Sequence, residues 1–196
     1  MEKLLYIDCC IRRELSRTKQ AADHLMDRLA TLGRFELETL VLMEEPLQNL
    51  QGDFFFAREA LLADGIRTHR RFDYARQFAA ADFIVVAAPL WDLGFPGLLK
   101  TYLENVSLDG ITFYADAAGC HGMSNGKHLV FVTTRGGFYE NTPLEMGSRY
   151  MEALCTFFGI DRYTCLFAEG LDSEGMDPDA LLTELKADID RFVDLL

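Results

Sequence analysis

Six consecutive apolar residues, Phe83-Ile84-Val85-Val86-Ala87-Ala88, constrain this chain more than any other segment. A strand with one face in water alternates apolar and polar residues. An unbroken β-branched run needs cover on both faces, which is the condition of a central strand in a parallel sheet. The cover must be helical, because parallel strands are joined by crossovers that lay helices on the sheet. A second such run, Leu129-Val130-Phe131-Val132-Thr133, repeats the demand.

The remaining pattern supplies the helices. Leu4-Leu5-Tyr6-Ile7 is a short strand, followed by a polar loop from Asp8 to Arg17 and by Ala21, Ala22, Leu25, Met26 and Leu29 at helical spacing. Phe35, Leu37, Thr39 and Val41 alternate with Glu36, Glu38 and Leu40, which suits a half-exposed strand near a sheet edge. Residues 53–80 are helix-prone, with a break expected at Asp64-Gly65. Pro96 can open a helix whose inner face is Leu98, Leu99, Tyr102, Leu103 and Val106. A long connection containing Gly119, Gly122 and Gly126 leads to the second central run. A helix near 144–158, a strand near 163–167, and a final helix capped by Asp177 with Pro178 in its first turn complete the chain. The order predicts an α/β, three-layer, flavodoxin-like domain spanning 1–196. Its five parallel strands should run 2-1-3-4-5 with helices on both faces, and ligands should bind at the switch point between strands 1 and 3. A six-stranded dinucleotide-binding fold is disfavoured, since the loop after strand 1 has no glycine.

Composition narrows the partners. Thirty-one acidic residues against 19 basic ones give a net charge of −12, which repels polyphosphate backbones and disfavours nucleic acid. A single phosphate is still accessible to local amide and hydroxyl donors. No apolar run approaches the roughly 20 residues of a bilayer span, and the first residues lack a signal-peptide pattern, so the expected location is the cytoplasm without membrane association. Five cysteines without C-x-x-C spacing read as reduced thiols, and four scattered histidines give no metal motif.

Three segments fall after strands 1, 3 and 4 and therefore at one edge of the sheet. Ser16-Arg17-Thr18 opens the first helix, where hydroxyls and unpaired amides can surround a phosphate, or simply cap the helix. Pro89-Leu90-Trp91-Asp92-Leu93 belongs to an apolar loop that offers a surface for a flat ring, although Trp91 also fits a core position and Asp92 a turn. Thr134-Arg135-Gly136-Gly137, with Tyr139 close behind, combines backbone access with a cation, or forms a tight turn with a surface arginine.

Several phrases taken in order resemble one family. Pro89 to Pro96 with Leu99-Lys100, Asp109-Gly110-Ile111-Thr112-Phe113, Gly126-Lys127, Thr133 to Gly137, and Phe158-Gly159-Ile160 with Ala168-Glu169-Gly170 are similar to the FMN-dependent NADH-azoreductase and NAD(P)H quinone reductase family. The resemblance implies FMN as cofactor, NAD(P)H as cosubstrate, and a homodimer with flavin at the subunit interface. It also implies phosphate contacts from Ser16, Arg17 and Thr18, a ring bordered by Pro89 to Leu93, and a pyrimidine edge met by Thr134 to Gly137 with Tyr139 nearby. Two departures stand out: Asp92 replaces the family's usual asparagine, and the loop Asp8 to Glu14 lacks its serines.

The implied chemistry is ping-pong hydride transfer from NAD(P)H to a quinone, azo or nitroaromatic small-molecule acceptor, with no catalytic side chain. Phe113 and Tyr114 join Trp91 and Tyr139 as candidates for substrate stacking, and Cys9 and Cys10 lie near the phosphate loop. A flavodoxin-like electron carrier without a substrate of its own is the competing reading, and acidic charge would suit its docking on basic partners.

Overall fold

A computed structural model describes all residues, 1–196. Five strands form the parallel sheet: β1 (Glu2–Asp8), β2 (Phe35–Val41), β3 (Phe83–Ala87), β6 (His128–Thr134) and β7 (Tyr163–Ala168), in the order β2-β1-β3-β6-β7. Counted among sheet strands alone, this is the 2-1-3-4-5 order expected. Two short strands, β4 (Phe113–Asp116) and β5 (Gly119–Gly122), form a separate antiparallel hairpin inside what the sequence reads as a long connection. Every residue of β3 and β6 is buried, as the unbroken apolar runs require.

The side-chain period of two divides the sheet into two cores. Leu5, Ile7, Ile84, Val86, Leu129 and Phe131 point to the face covered by α3 (Asp73–Ala80), α4 (Gly97–Val106) and α5 (Gly147–Phe158). Leu4, Tyr6, Phe83, Val85, Val130 and Val132 point to α1 (Arg17–Thr31) and α6 (Pro178–Asp194). The register aligns Ile7 with Val86 and Val86 with Phe131, so each layer is continuous across the strands. The Asp177 carboxylate accepts the amides of Asp179 and Ala180, fixing the start of α6 as its sequence indicates. The helix-prone region 53–80 divides more widely than expected. Helix α2 (Gly52–Ala63) ends before Gly65, whose φ of +71° breaks the backbone, and α3 begins only at Asp73. None of the residues of α2 is fully buried, and Arg58 and Arg67 tether this part of the chain to the carbonyls of Ser107 and Asp109.

His128 starts β6 in contact with the rings of Phe83 and Phe192, and is 4% exposed. Its Nε2 pairs with the Thr164 hydroxyl at 2.8 Å, while its Nδ1 has no partner. Burial, and then the nearby charge of Arg162, push its pKa down to about 4. The unfolded imidazole titrates near 6.5, so an acidifying solution protonates the unfolded chain first. The resulting contribution is complete above pH 6.5 and is lost as pH falls toward 4, up to about 3 kcal/mol. Urea midpoints at pH 7 and 4.5 should therefore differ less in His128→Asn than in the parent. Equal differences would remove His128 from the account.

Candidate active-site cleft

The carboxyl ends of β1, β3 and β6 carry the three predicted loops to one place. A cleft of about 110 Å³ is lined by Arg12, Ser16, Arg17, Thr18, Pro89, Leu90, Trp91, Thr134, Arg135, Gly136, Leu171 and Asp172. It adjoins a shallower recess of about 480 Å³ lined by Leu90, Asp92, Leu93, Gly136 and Tyr139, the two sharing Leu90 and Gly136. Of the predicted cofactor residues, all but Gly137 line one or the other. Gly137 lies under the Tyr139 ring: a Cβ built there would sit 3.2 Å from the tyrosine Cε2.

At the start of α1, Ser16 accepts the Lys19 amide through its hydroxyl, so it does cap the helix. The amides of Arg17 and Thr18 are left without an acceptor in the chain. Thr18 and Thr134 join their hydroxyls at 2.6 Å, tying the first loop to the last across the cleft. Free first-turn amides at the positive end of a helix dipole can receive an anion at this corner of the cleft.

The second loop is a two-residue turn. Trp91 and Gly94 exchange amide-to-carbonyl hydrogen bonds at 3.2 and 2.8 Å around Asp92 (φ +48°) and Leu93 (φ +70°). Both central residues are left-handed, a conformation that Asp and Asn tolerate best among residues with a Cβ. That requirement accounts for Asp92 where an asparagine is usual. Leu93 accepts the Met146 amide, which seats the turn on the start of α5. Trp91 is 43% exposed and belongs to the cleft wall, not to the core.

The third loop departs from expectation in its charge. Arg135 is 2% exposed, and its guanidinium lies 3.4 Å from a Glu145 oxygen, 3.3 Å from a Glu169 oxygen, and over the Phe167 ring. A side chain engaged in this way offers no free cation to a ring in the recess; it braces the loop instead. Glu169 also accepts the amides of Tyr139 and Glu140, and Glu145 accepts the Ser148 amide at the first turn of α5. Arg135 thus links the carboxylates that hold both ends of segment 136–146. Gly136 and Gly137 donate their amides to nothing in the chain and remain available to a polar ring edge.

Phe113 and Tyr114 are not brought to this cleft. Their hairpin lies at the amino edge of the sheet, where Ser124 donates to the Phe158 carbonyl, Asn125 to that of Ala79, and Gly122 abuts Gly159. Phe113 packs on Phe157 and Tyr114 stacks on His121. Cys9 and Cys10 are buried, and burial raises both thiol pKa values, Cys9 to about 12. Sequence reasoning missed Arg12, Leu171 and Asp172 as cleft residues. Position after strands 1 and 7 was the available signal, and the Ala168-Glu169-Gly170 phrase adjoins two of them. No helix is long and apolar enough to cross a membrane.

The geometry defines a doubly wound α/β protein with a cleft that presents unpaired backbone amides, and an adjoining shallow recess, at its switch point. A model of the flavodoxin-like fold matches residues 2–193. The FMN-dependent NADH:quinone oxidoreductase of Lachnoclostridium phytofermentans is 36% identical over 188 residues, covering 95% of each chain. That of Clostridium perfringens is 36% identical over 186 residues, covering 94% of each. Two Bacillus anthracis structures share the fold. An azoreductase superposes with a TM-score of 0.88 at 22% identity over 100% of both chains. An FMN-dependent NADH-azoreductase in complex with FMN gives 0.87 at 20% identity over 99% of this chain and 98% of that one. The chain belongs to the flavodoxin-like fold family and, within it, to the FMN-dependent NADH:quinone oxidoreductases.

Proposed function

We propose that the protein is an FMN-dependent NAD(P)H oxidoreductase acting on quinone or azo acceptors. The observation that carries this reading is the convergence of unpaired donors on one cleft: the amides of Arg17 and Thr18 at one end, those of Gly136 and Gly137 at the other. FMN, when bound, supplies the relay that accepts a hydride and passes it on. Ser16, Arg17 and Thr18 hold the phosphate end. Pro89 to Leu93 form the wall for the ring, with Trp91 and Tyr139 as the aromatic surfaces, and the Thr134–Gly137 backbone meets its polar edge. Asp92 stands on a turn exposed to solvent, so its carboxylate stays hydrated beside the ring. The close similarity to NADH:quinone oxidoreductases over nearly the whole chain supports enzyme over carrier.

The protein works as a cytoplasmic homodimer in this reading. Phe113 and Tyr114, held by their own chain at the amino edge, can stack on a bound ligand only in the cleft of a second copy. The purified chain should show a flavin absorption spectrum, quench added FMN fluorescence at one equivalent per chain, and oxidise NADH with a quinone in steady state. A chain that binds FMN yet shows no turnover would favour the electron carrier. One that leaves FMN fluorescence unchanged would sink both.

A further inference from the structure

Three arginines reach the cleft wall, and their partners differ. Arg135 is committed to Glu145 and Glu169. Arg17 is committed to Asp172, whose carboxylate it meets at 2.7 Å, and to the Leu171 carbonyl at 3.1 Å. Arg12 makes no ion pair and its side chain makes no hydrogen bond, although it lines the same cleft. Two further cations lie near the start of α1, and neither lines this cleft: Lys19 is held by Asp8 and Asp23, and Arg13 faces the neighbouring pocket that it shares with Asp8, Glu14 and Lys19.

We infer that Arg12 supplies the charged contact to the phosphate monoester of the bound flavin nucleotide, in place of the serine hydroxyls missing from the loop Asp8 to Glu14; this rests on the FMN reading above. The backbone is arranged for it. Arg12 precedes a single 3-10 turn, Arg13–Leu15, whose last amide bonds the Arg12 carbonyl, and that turn runs directly into the Ser16 cap of α1. The guanidinium is therefore carried on a short, closed loop beside the free amides of Arg17 and Thr18. A phosphate dianion there gains amide and hydroxyl donors plus one cation not already neutralised by a carboxylate. Such charge-assisted hydrogen bonds are stronger than neutral ones. Asp172 sharpens the need, since its exposed carboxylate would otherwise leave the cleft with no net positive group for the dianion.

The test titrates the full-length chain, stripped of flavin, with FMN and with riboflavin, which has the ring and ribityl chain but no phosphate. Arg12→Gln should weaken FMN binding by about 10- to 100-fold, the range for a lost charged hydrogen bond, with riboflavin affinity unchanged. Arg12→Lys should recover most of the loss, and the salt dependence of FMN binding should flatten in Arg12→Gln. Both variants should melt as the parent does, because the side chain has no partner in the fold. FMN affinity unchanged in Arg12→Gln, or FMN and riboflavin weakened alike, would overturn the assignment. A parent chain that binds no FMN would instead overturn the cofactor reading itself.

Discussion

Arg135→Met should destabilise the protein by about 3–5 kcal/mol, the usual cost of removing one member of a buried ionic network. The methionine fills the space but strands Glu145 and Glu169, both of which are turned inward and close to the lost guanidinium. Loss of fold is only part of the expectation. Glu169 holds the Tyr139 and Glu140 amides, and Glu145 the first turn of α5, so segment 136–146 loses its common anchor. The folded fraction should bind FMN at least about tenfold more weakly, because the Gly136 and Gly137 amides are no longer held in place. Arg135→Lys, which keeps the charge but cannot fork between two carboxylates, should fall between. Denaturant melts and FMN titration of the three proteins check this. A methionine variant within about 1 kcal/mol of the parent, with unchanged flavin affinity, would show that the network is dispensable.

Gly122→Ala should lower stability by about 2–4 kcal/mol, or roughly 10 °C in melting temperature for a chain of this size. A Cβ at Gly122 would lie 2.0 Å from the Gly159 nitrogen and 2.0 Å from the Phe158 carbonyl carbon. Both obstacles are backbone, so no side-chain rotation relieves the clash. Gly159 has no room to retreat: it terminates α5 at φ +76°, and its amide and that of Ile160 satisfy the last carbonyls of the helix. The comparison is with Gly119→Ala in the same hairpin, where a Cβ would meet nothing within 4 Å and only the φ of +131° resists. A Gly122 variant that melts with its parent would mean the hairpin can lift away freely.

Much of this was legible in the sequence because it follows from periodicity. Continuous apolar runs placed β3 and β6 in the centre of the sheet, and Ala21, Ala22, Leu25, Met26 and Leu29 of α1 are all buried as their spacing requires. The meeting of the three loops followed from strand order alone. The hairpin at 113–122 was hidden because it has no apolar alternation. Asp116 and Gly119 make its turn, through a carboxylate that accepts the Ala118 amide and a left-handed glycine, and neither announces a strand. Arg135 reads in the sequence as a cation offered to a ring or as a surface arginine, and is neither, because its carboxylate partners, Glu145 and Glu169, come from the far end of its own loop and from the end of β7. Side-chain pairing of that kind depends on tertiary placement, which local pattern does not encode. Asp92 became understandable only once its φ was known.

The cysteines bear on life among electrophiles. Quinones are alkylating agents toward thiolates, and a protein that handles them exposes its own nucleophiles to its substrate. The reactive species is the thiolate. Cys9, Cys10 and Cys155 are buried, Cys165 is half-buried, and desolvation pushes Cys9 and Cys155 up to about 12 and Cys165 to about 11, with Cys10 raised as well. All four remain protonated at neutral pH. Only Cys120 faces solvent, on the hairpin at the edge of the sheet opposite its own chain's cleft. The fold thus shields four thiols from arylation and leaves one position where a covalent adduct can accumulate.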